Sequence, residues 1–392
     1  MRKIYYLIVV IGLIFVSCNK KDEEVELNKE IEVSDIITTN FTSDATLKAG
    51  KTYTVQGSIH IDGCVLTIQP GVTVKFTENS SFVIGSNREN SVLKAEGTSA
   101  QPILFTSAGN NKSAGNWNNI RFESGTSSAS ILSYCTIEYA GGASGDNTGA
   151  IDMNNCKVSI KNCTIKNSAS RGIDMANSAS FVNFTGNTIK DCEGEAIRID
   201  VEQVHTLGKN NRIEGSDILV KSGSYNLEYS QIWHYQSAPF YFDGTVKIFF
   251  NEGSKLTISA GNTLKFARNA QLIVGENGVS GTLVANGTAD SVITFTSAEE
   301  MPYNGDWNGI IFDSGSTGAS LMNYCKIEYA GNDELYNANI IFRNVNNTIT
   351  LSNCQINHSS AYGVYLDSLP QVNFQNNSFE NNLQGNIYVR NN

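Results

Sequence analysis

Beyond residue 44 the chain is written in short alternating runs such as Val158-Ser159-Ile160 and Val182-Asn183-Phe184. Alternation with a period of two puts one face of a strand inward and the other outward. Asn, Gly, Ser and Asp punctuate the runs, and these residues tolerate the turn and left-handed conformations that join strands. No window past the amino-terminal segment carries a sustained apolar stripe of helical period, so strands rather than helices are predicted throughout.

The pattern repeats at two scales. Gly115-Asn116-Trp117-Asn118-Asn119-Ile120-Arg121-Phe122 returns as Gly305-Asp306-Trp307-Asn308-Gly309-Ile310-Ile311-Phe312, and the match runs at one constant offset, without a gap, from Leu66/Leu256 to Gly141/Gly331. A three-residue insertion precedes the second copy, where Phe240-Tyr241-Phe242 matches Tyr53-Thr54-Val55. Within each copy the period shortens. Ile151, Ile173 and Ile197 step by 22 and 24, and Ile341, Val364 and Ile387 step by 23. Three short strands per unit of that length cannot bury an apolar face alone, but stacked coils make a continuous core. A propeller would need four strands per unit and a unit of about 40 residues. The prediction is an all-β, right-handed parallel β-helix of about 14 coils at ~4.8 Å each, with copy one at 45–200 and copy two at 201–392.

Leu66-Thr67-Ile68-Gln69-Pro70-Gly71-Val72-Thr73-Val74-Lys75-Phe76, with Pro102-Ile103-Leu104-Phe105-Thr106-Ser107, Trp117, Ile120 and Phe122, resembles bacterial right-handed parallel β-helix surface proteins. The resemblance spans nearly the whole chain after residue 44 and implies the fold. Pectate, alginate and chondroitin lyases and polygalacturonases share that fold, but none of their catalytic strings is present, and fold alone does not license function.

The amino terminus changes the picture of location. Arg2 and Lys3 precede an apolar run from Ile4 to Val16, too short for a spanning helix of about 20 residues. Phe15-Val16-Ser17-Cys18 resembles a bacterial lipobox, so residues 1–17 read as a leader, Cys18 as the lipidated residue, and 18–44 as an acidic tether. Asn19-Lys20-Lys21-Asp22-Glu23-Glu24 resembles a signal for the outer cell surface. These features predict an outer-membrane lipoprotein exposed to the outside. The formal net charge of −10 and the scatter of Lys and Arg exclude a nucleic-acid groove. Seven cysteines remain, with no CxxC pair; Cys135/Cys163 and Cys325/Cys354 should stack as buried thiols, since parallel neighbours suit disulfide geometry poorly. No metal motif is present, four dispersed histidines form no triad, and no cofactor is called for; Gly141–Asp146 only loosely echoes a calcium loop.

Candidate chemistry follows from which outward columns differ. Trp117/Trp307 and Glu138/Glu328 recur in both copies and read as scaffold: the Trp at a corner, the Glu on a solvated face. If Ile151, Ile173 and Ile197 face inward, Asp152, Asp174 and Arg198 stack outside. Two carboxylates about 5 Å apart repel, so one keeps its proton near neutrality, the arrangement retaining glycosidases use at about 5–5.5 Å. A neighbouring Arg could stabilise charge. The bland alternative is a solvated or calcium-holding surface. The same column in copy two reads Phe342, Tyr365 and Tyr388, an aromatic strip for sugar rings or a protein, or else cross-strand stacking worth about 0.2–1 kcal/mol per pair. Between the copies lies a second aromatic cluster (Tyr225, Tyr229, Trp233, Tyr235, Phe240, Tyr241, Phe242, Phe249 and Phe250), from which Trp233 and Tyr235 are the ligand candidates. The last strand, at Asn386–Arg390, leaves an open coil that predicts weak end-to-end dimers. Three functions remain: binding of polysaccharide or another extracellular ligand, a polysaccharide lyase or glycoside hydrolase using Asp152, Asp174 and Arg198, or a stalk or adhesin contacting protein.

Overall fold

The structure is a computed structural model that describes residues 33–145, 148–221, 227–249, 253–333, 335–367 and 372–390. The leader, Cys18, most of the tether, Asp146, Tyr225 and Phe250 lie outside the described residues.

Each strand pairs in parallel with the strand one full circuit away. Ile120 pairs with Ile151, Ile151 with Ile173, and Ile173 with Ile197. The same inward column continues through Ile218, Phe240, Leu264, Phe295, Ile327 and Ile356, all of them buried. Chains that return in parallel wind right-handed, and the product is the right-handed parallel β-helix that the alternation predicts. Among the described residues its strands build one sheet of 13 strands, one of eight and three of six. Phe41 bridges to Ile61 below the first strand of the long sheet, which brings the coils to fourteen.

The two copies are joined out of phase. Strand Thr73–Phe76 lies in the eight-stranded sheet, whereas its counterpart Thr263–Phe266 lies in the long one. Strand Ser81–Ile84 lies in the long sheet, and its counterpart Gln271–Val274 lies in a separate sheet of six. The second copy therefore enters one strand late. A short 3₁₀ helix, Val201–Thr206, sits at the junction with Val201 and Val204 buried.

Turn chemistry keeps the coils in register. Asn162, Asn167, Asn353 and Asn376 hold φ near +53°, a region Asn visits more readily than most residues. Tyr134 and Tyr324 share a positive φ (49° and 47°), as do Tyr139 and Tyr329 (64° and 65°). Strain of this kind persists only where the surroundings over-determine the backbone. One fixing contact is visible in both copies: the indole N–H of Trp117 donates to the Glu138 carbonyl at 2.8 Å, and Trp307 to Glu328 at 2.9 Å.

Both tryptophans are core rather than corner covers. Trp117 stacks on Phe76 at 4.1 Å and Trp307 on Phe266 at 4.3 Å, both fully buried. The thiols of Cys135, Cys163, Cys325 and Cys354 are free and buried, a small apolar ladder as the spacing predicts. Replacing Trp307 by Ala should cost about 3–5 kcal/mol in urea unfolding, with a similar loss for Trp117→Ala. A fall below about 1 kcal/mol in both would place the rings outside the core.

Candidate functional site

One strand of each successive coil in copy one brings Arg121, Asp152, Asp174 and Arg198 into one outward column. Arg121 pairs with Asp152, Asp152 with Asp174, and Asp174 with Arg198. The register is the predicted one, but the setting is not an open surface. Asp152, Asp174 and Arg198 are 7%, 3% and 5% exposed. Strands Gly149–Asn154 and Ile197–Asp200 are buried on their outward positions too.

The buried charges are paired. Arg198 grips Asp174 with Nε to Oδ1 and Nη2 to Oδ2, each at 2.6 Å. Arg171, which sequence reasoning missed, reaches Asp174 at 3.6 Å and Glu195 at 2.8 Å. Its signal was its place at the head of the Asp174 strand, opposite Gly149. Asp152 accepts from the Asn119 side chain and from the Gly149 amide, both at 2.6 Å.

Burial and the neighbouring Asp174 charge push the Asp152 carboxyl up to about 7, against the pull of Gly149, Arg121 and Arg198. Burial also raises Asp174, though Arg198 and Arg171 oppose it. Chemically the cluster can store a proton on Asp152 near neutrality. At 7%, 3% and 5% exposure, Asp152, Asp174 and Arg198 are closed to a polymer in this conformation.

The corresponding column of copy two has lost every charge. Ile273, Ile311, Ile341, Tyr365 and Tyr388 pair in succession up a separate sheet. Phe342 is not in that column. It points into the coil, stacked on Phe312 at 5.2 Å and paired with Leu366. Ile340, Ile341 and Phe342 are all apolar, so alternation gives no parity there, and Val364 pairs with Ile340 rather than with Ile341. Outside, Ile273, Ile311, Ala338 and Ile341 form a second apolar cluster, separate from the coil interior.

Four tyrosines finish this floor. Tyr365 stacks on Tyr388 at 5.1 Å, Tyr362 lies 4.8 Å from Tyr388, and Tyr336 meets Tyr365 edge-on at 5.1 Å. Tyr336, Tyr362 and Tyr365 are half-buried and Tyr388 is 36% exposed. Because Tyr365 and Tyr388 stack on each other, they offer their edges and hydroxyls outward. Tyr336 and Tyr362 were not singled out in the sequence, since neither falls on the column's period.

Two further candidates separate. Trp233 is fully buried, packed against Phe240 and Phe242 with its N–H on Gln231 at 2.9 Å, so it is core and not a ligand residue. It ends a strand whose alternation turns Gln231 and Trp233 inward and Ile232 outward. Tyr235, two residues on, is exposed. Glu138 and Glu328 face outward but are not solvated. Thr106 and Lys166 hold Glu138 at 2.8 and 3.1 Å, and Thr296 and Lys326 hold Glu328 at 3.1 and 2.7 Å. Burial works against ionisation of Glu138, yet these partners outweigh it and keep its carboxyl below the usual range. Among the described residues no three His, Cys, Asp or Glu side chains converge to hold a metal ion.

A model of the pectate-lyase-like β-helix domain matches residues 39–153, and one of the right-handed β-helix region matches 106–233. Both matches support the right-handed parallel β-helix family, over residues 39–233. No curated protein matches this β-helix by sequence. Among solved structures it is similar to the catalytic domain of a GH87 α-1,3-glucanase in complex with nigerose, at 10% identity and a TM-score of 0.30 over 88% of this chain and 61% of that one. It therefore spans less than two thirds of the glucanase chain. A family 28 exopolygalacturonase of Yersinia enterocolitica gives 12% identity and a TM-score of 0.27, covering 88% and 72%. The Streptococcus pneumoniae surface protein and adhesin PfbA gives 12% and 0.20, covering 86% and 91%. Likenesses at these TM-scores carry no argument about what this β-helix does.

The buried aspartate makes stability depend on pH. Its folded value, about 7, lies above the ordinary 3.8, so its favourable contribution is complete below about 4 and is lost as pH rises through 7. That gap corresponds to roughly 4 kcal/mol at most. Asp152→Asn keeps a neutral group that Asn119 can meet by turning its amide. The variant should melt higher than the parent at pH 8 and equal to it at pH 4, read by calorimetry across that range. Identical pH profiles would mean that Asp152 titrates normally.

Proposed function

We propose that this β-helix is a non-catalytic binding protein of the cell surface, held by lipid at Cys18, and that it takes polysaccharide on the tyrosine cluster of Tyr336, Tyr362, Tyr365 and Tyr388. One observation carries the reading: the column that copy one fills with locked ion pairs is, in copy two, an apolar floor with partly open tyrosines. Aromatic side chains combine apolar area with a hydroxyl, which suits a ligand with both C–H faces and hydroxyl groups. The floor beneath is made of packed, buried side chains, so few groups need ordering on binding. Arg390 is engaged with Asp367 at 2.9 Å and Arg343 with Asp313, so both guanidiniums near the cluster already hold a carboxylate and do not select for an acidic polymer.

A second reading has its own observation. A carboxyl near 7 beside an ionised partner is what a general acid requires, and Asp152 beside Asp174 meets that description. In this reading the buried column becomes accessible and the protein cleaves glycan, with Arg198 stabilising charge.

The two separate in one set of measurements. Tyr365→Ala and Tyr388→Ala should each weaken polysaccharide binding about tenfold or more, by calorimetric titration against a panel of neutral and acidic polymers, with melting temperatures nearly unchanged. Mass spectrometry of the same mixtures should find no new oligosaccharides. Products that disappear in Asp174→Asn would instead establish the enzyme. Retention on extracellular protein but on no polymer would make the cluster an adhesin surface.

A further inference from the structure

We infer that the corner at Tyr235 is a second, separate binding subsite, and that it takes a neutral sugar ring. The corner holds a depression of about 550 Å³ lined by Tyr235, Ala260, Gly261, Asp290, Ser291 and Val292. It spans three coils, with Tyr235 four coils below Tyr365, ~19 Å along the axis, and Asp290 two coils below it, on another side of the molecule. It stands independently of the tyrosine cluster.

The aromatic wall is built rather than incidental. Gly261 has φ +85°, and a Cβ there would lie 3.3 Å from Cδ2 and Cε2 of Tyr235. Glycine thus meets the backbone demand and lets the ring rest against the chain. The rest of the ring is open, since Tyr235 is 52% exposed. The ring is positioned by its neighbours in sequence: Trp233 is locked in the core on one side, and Gln236 is buried on the other, donating to the Gly208 carbonyl at 2.8 Å.

Opposite the ring, Asp290 projects from a tight turn closed by reciprocal hydrogen bonds between Thr288 and Ser291, both 3.1 Å. Within the described residues neither the Asp290 carboxylate nor the Tyr235 hydroxyl has a side-chain partner. A free carboxylate accepts hydrogen bonds from two hydroxyls, and a phenol face packs on the C–H side of a sugar ring. The same carboxylate, on a chain of net charge −10, repels uronates.

The first copy supplies the control. Its matching positions carry Lys48, Pro70, Gly71, Ala100, Gln101 and Pro102. It has no ring and no carboxylate there, and Gln101 lies against Gly71, whose amide donates to the Gln101 carbonyl at 3.1 Å. The scaffold does not require an aromatic residue or an acid at this corner. Copy two has both, with Ala260 and Val292 in place of two prolines.

The test uses the full chain and NMR titration with cellobiose, maltose, digalacturonate and choline, the last because an aromatic ring beside a carboxylate also suits a quaternary ammonium. The expected result is binding of a neutral disaccharide, about tenfold weaker in Tyr235→Ala and in Asp290→Ala. Both substitutions are at exposed positions, so melting should be unaffected, and either variant alone can report if the other folds poorly. The inference is overturned if neither neutral sugar binds, if digalacturonate or choline binds more tightly, or if both variants bind as the parent does. A loss confined to Tyr388→Ala would assign the sugar to the tyrosine cluster and sink this subsite.

Discussion

Everything in this molecule hangs on coil-to-coil register. A strand of three to five residues contributes two or three side chains to the interior, too few to exclude water by itself. Stacked in parallel, those side chains become columns such as Ile120 to Ile356, each residue capped above and below by its neighbours. Parity is strict: a slip of one residue would exchange the inward and outward sets of a whole strand. Outward positions escape the packing constraint only if nothing covers them, and here much is covered.

That cover explains which parts were legible in the sequence. Alternation and the short, nearly constant repeat step identify the fold. They also place Asp152, Asp174 and Arg198 in one column, because each follows an inward isoleucine (Ile151, Ile173, Ile197). Phe342 escapes the same logic. Its strand reads Asn339-Ile340-Ile341-Phe342, and an apolar outer cluster accepts Ile341 while the coil takes the ring. Burial outside the coil was equally invisible. Whether Glu138 meets water depends on Thr106 and Lys166, which belong to the coils on either side of it. Trp233 and Tyr235 differ by two positions in sequence and have opposite fates because the strand ends between them.

The two outer columns are alternative solutions to one problem. Covering a sheet face with charged groups requires each to find a partner, since removing one member of a buried pair leaves the other stranded. Arg171, Arg198, Asp174 and Glu195 meet that demand among themselves, and Asp152 meets it by taking up a proton. Covering the face with isoleucine needs no partners but leaves apolar surface wherever the cover stops, and in copy two it stops at the tyrosines. The first solution is closed and sensitive to pH. The second is insensitive to pH and open to association.

The late entry of the second copy bears on how a duplicated molecule meets the outside. Had the copies stacked in phase, both columns would share one side, and a straight polymer lying along the axis could engage them together with the gain that linked sites give. With the second copy set one strand over, the sister faces look in different directions. Duplication here does not double the grip on one ligand. It gives the molecule two bearings, from each of which a different neighbour can be held.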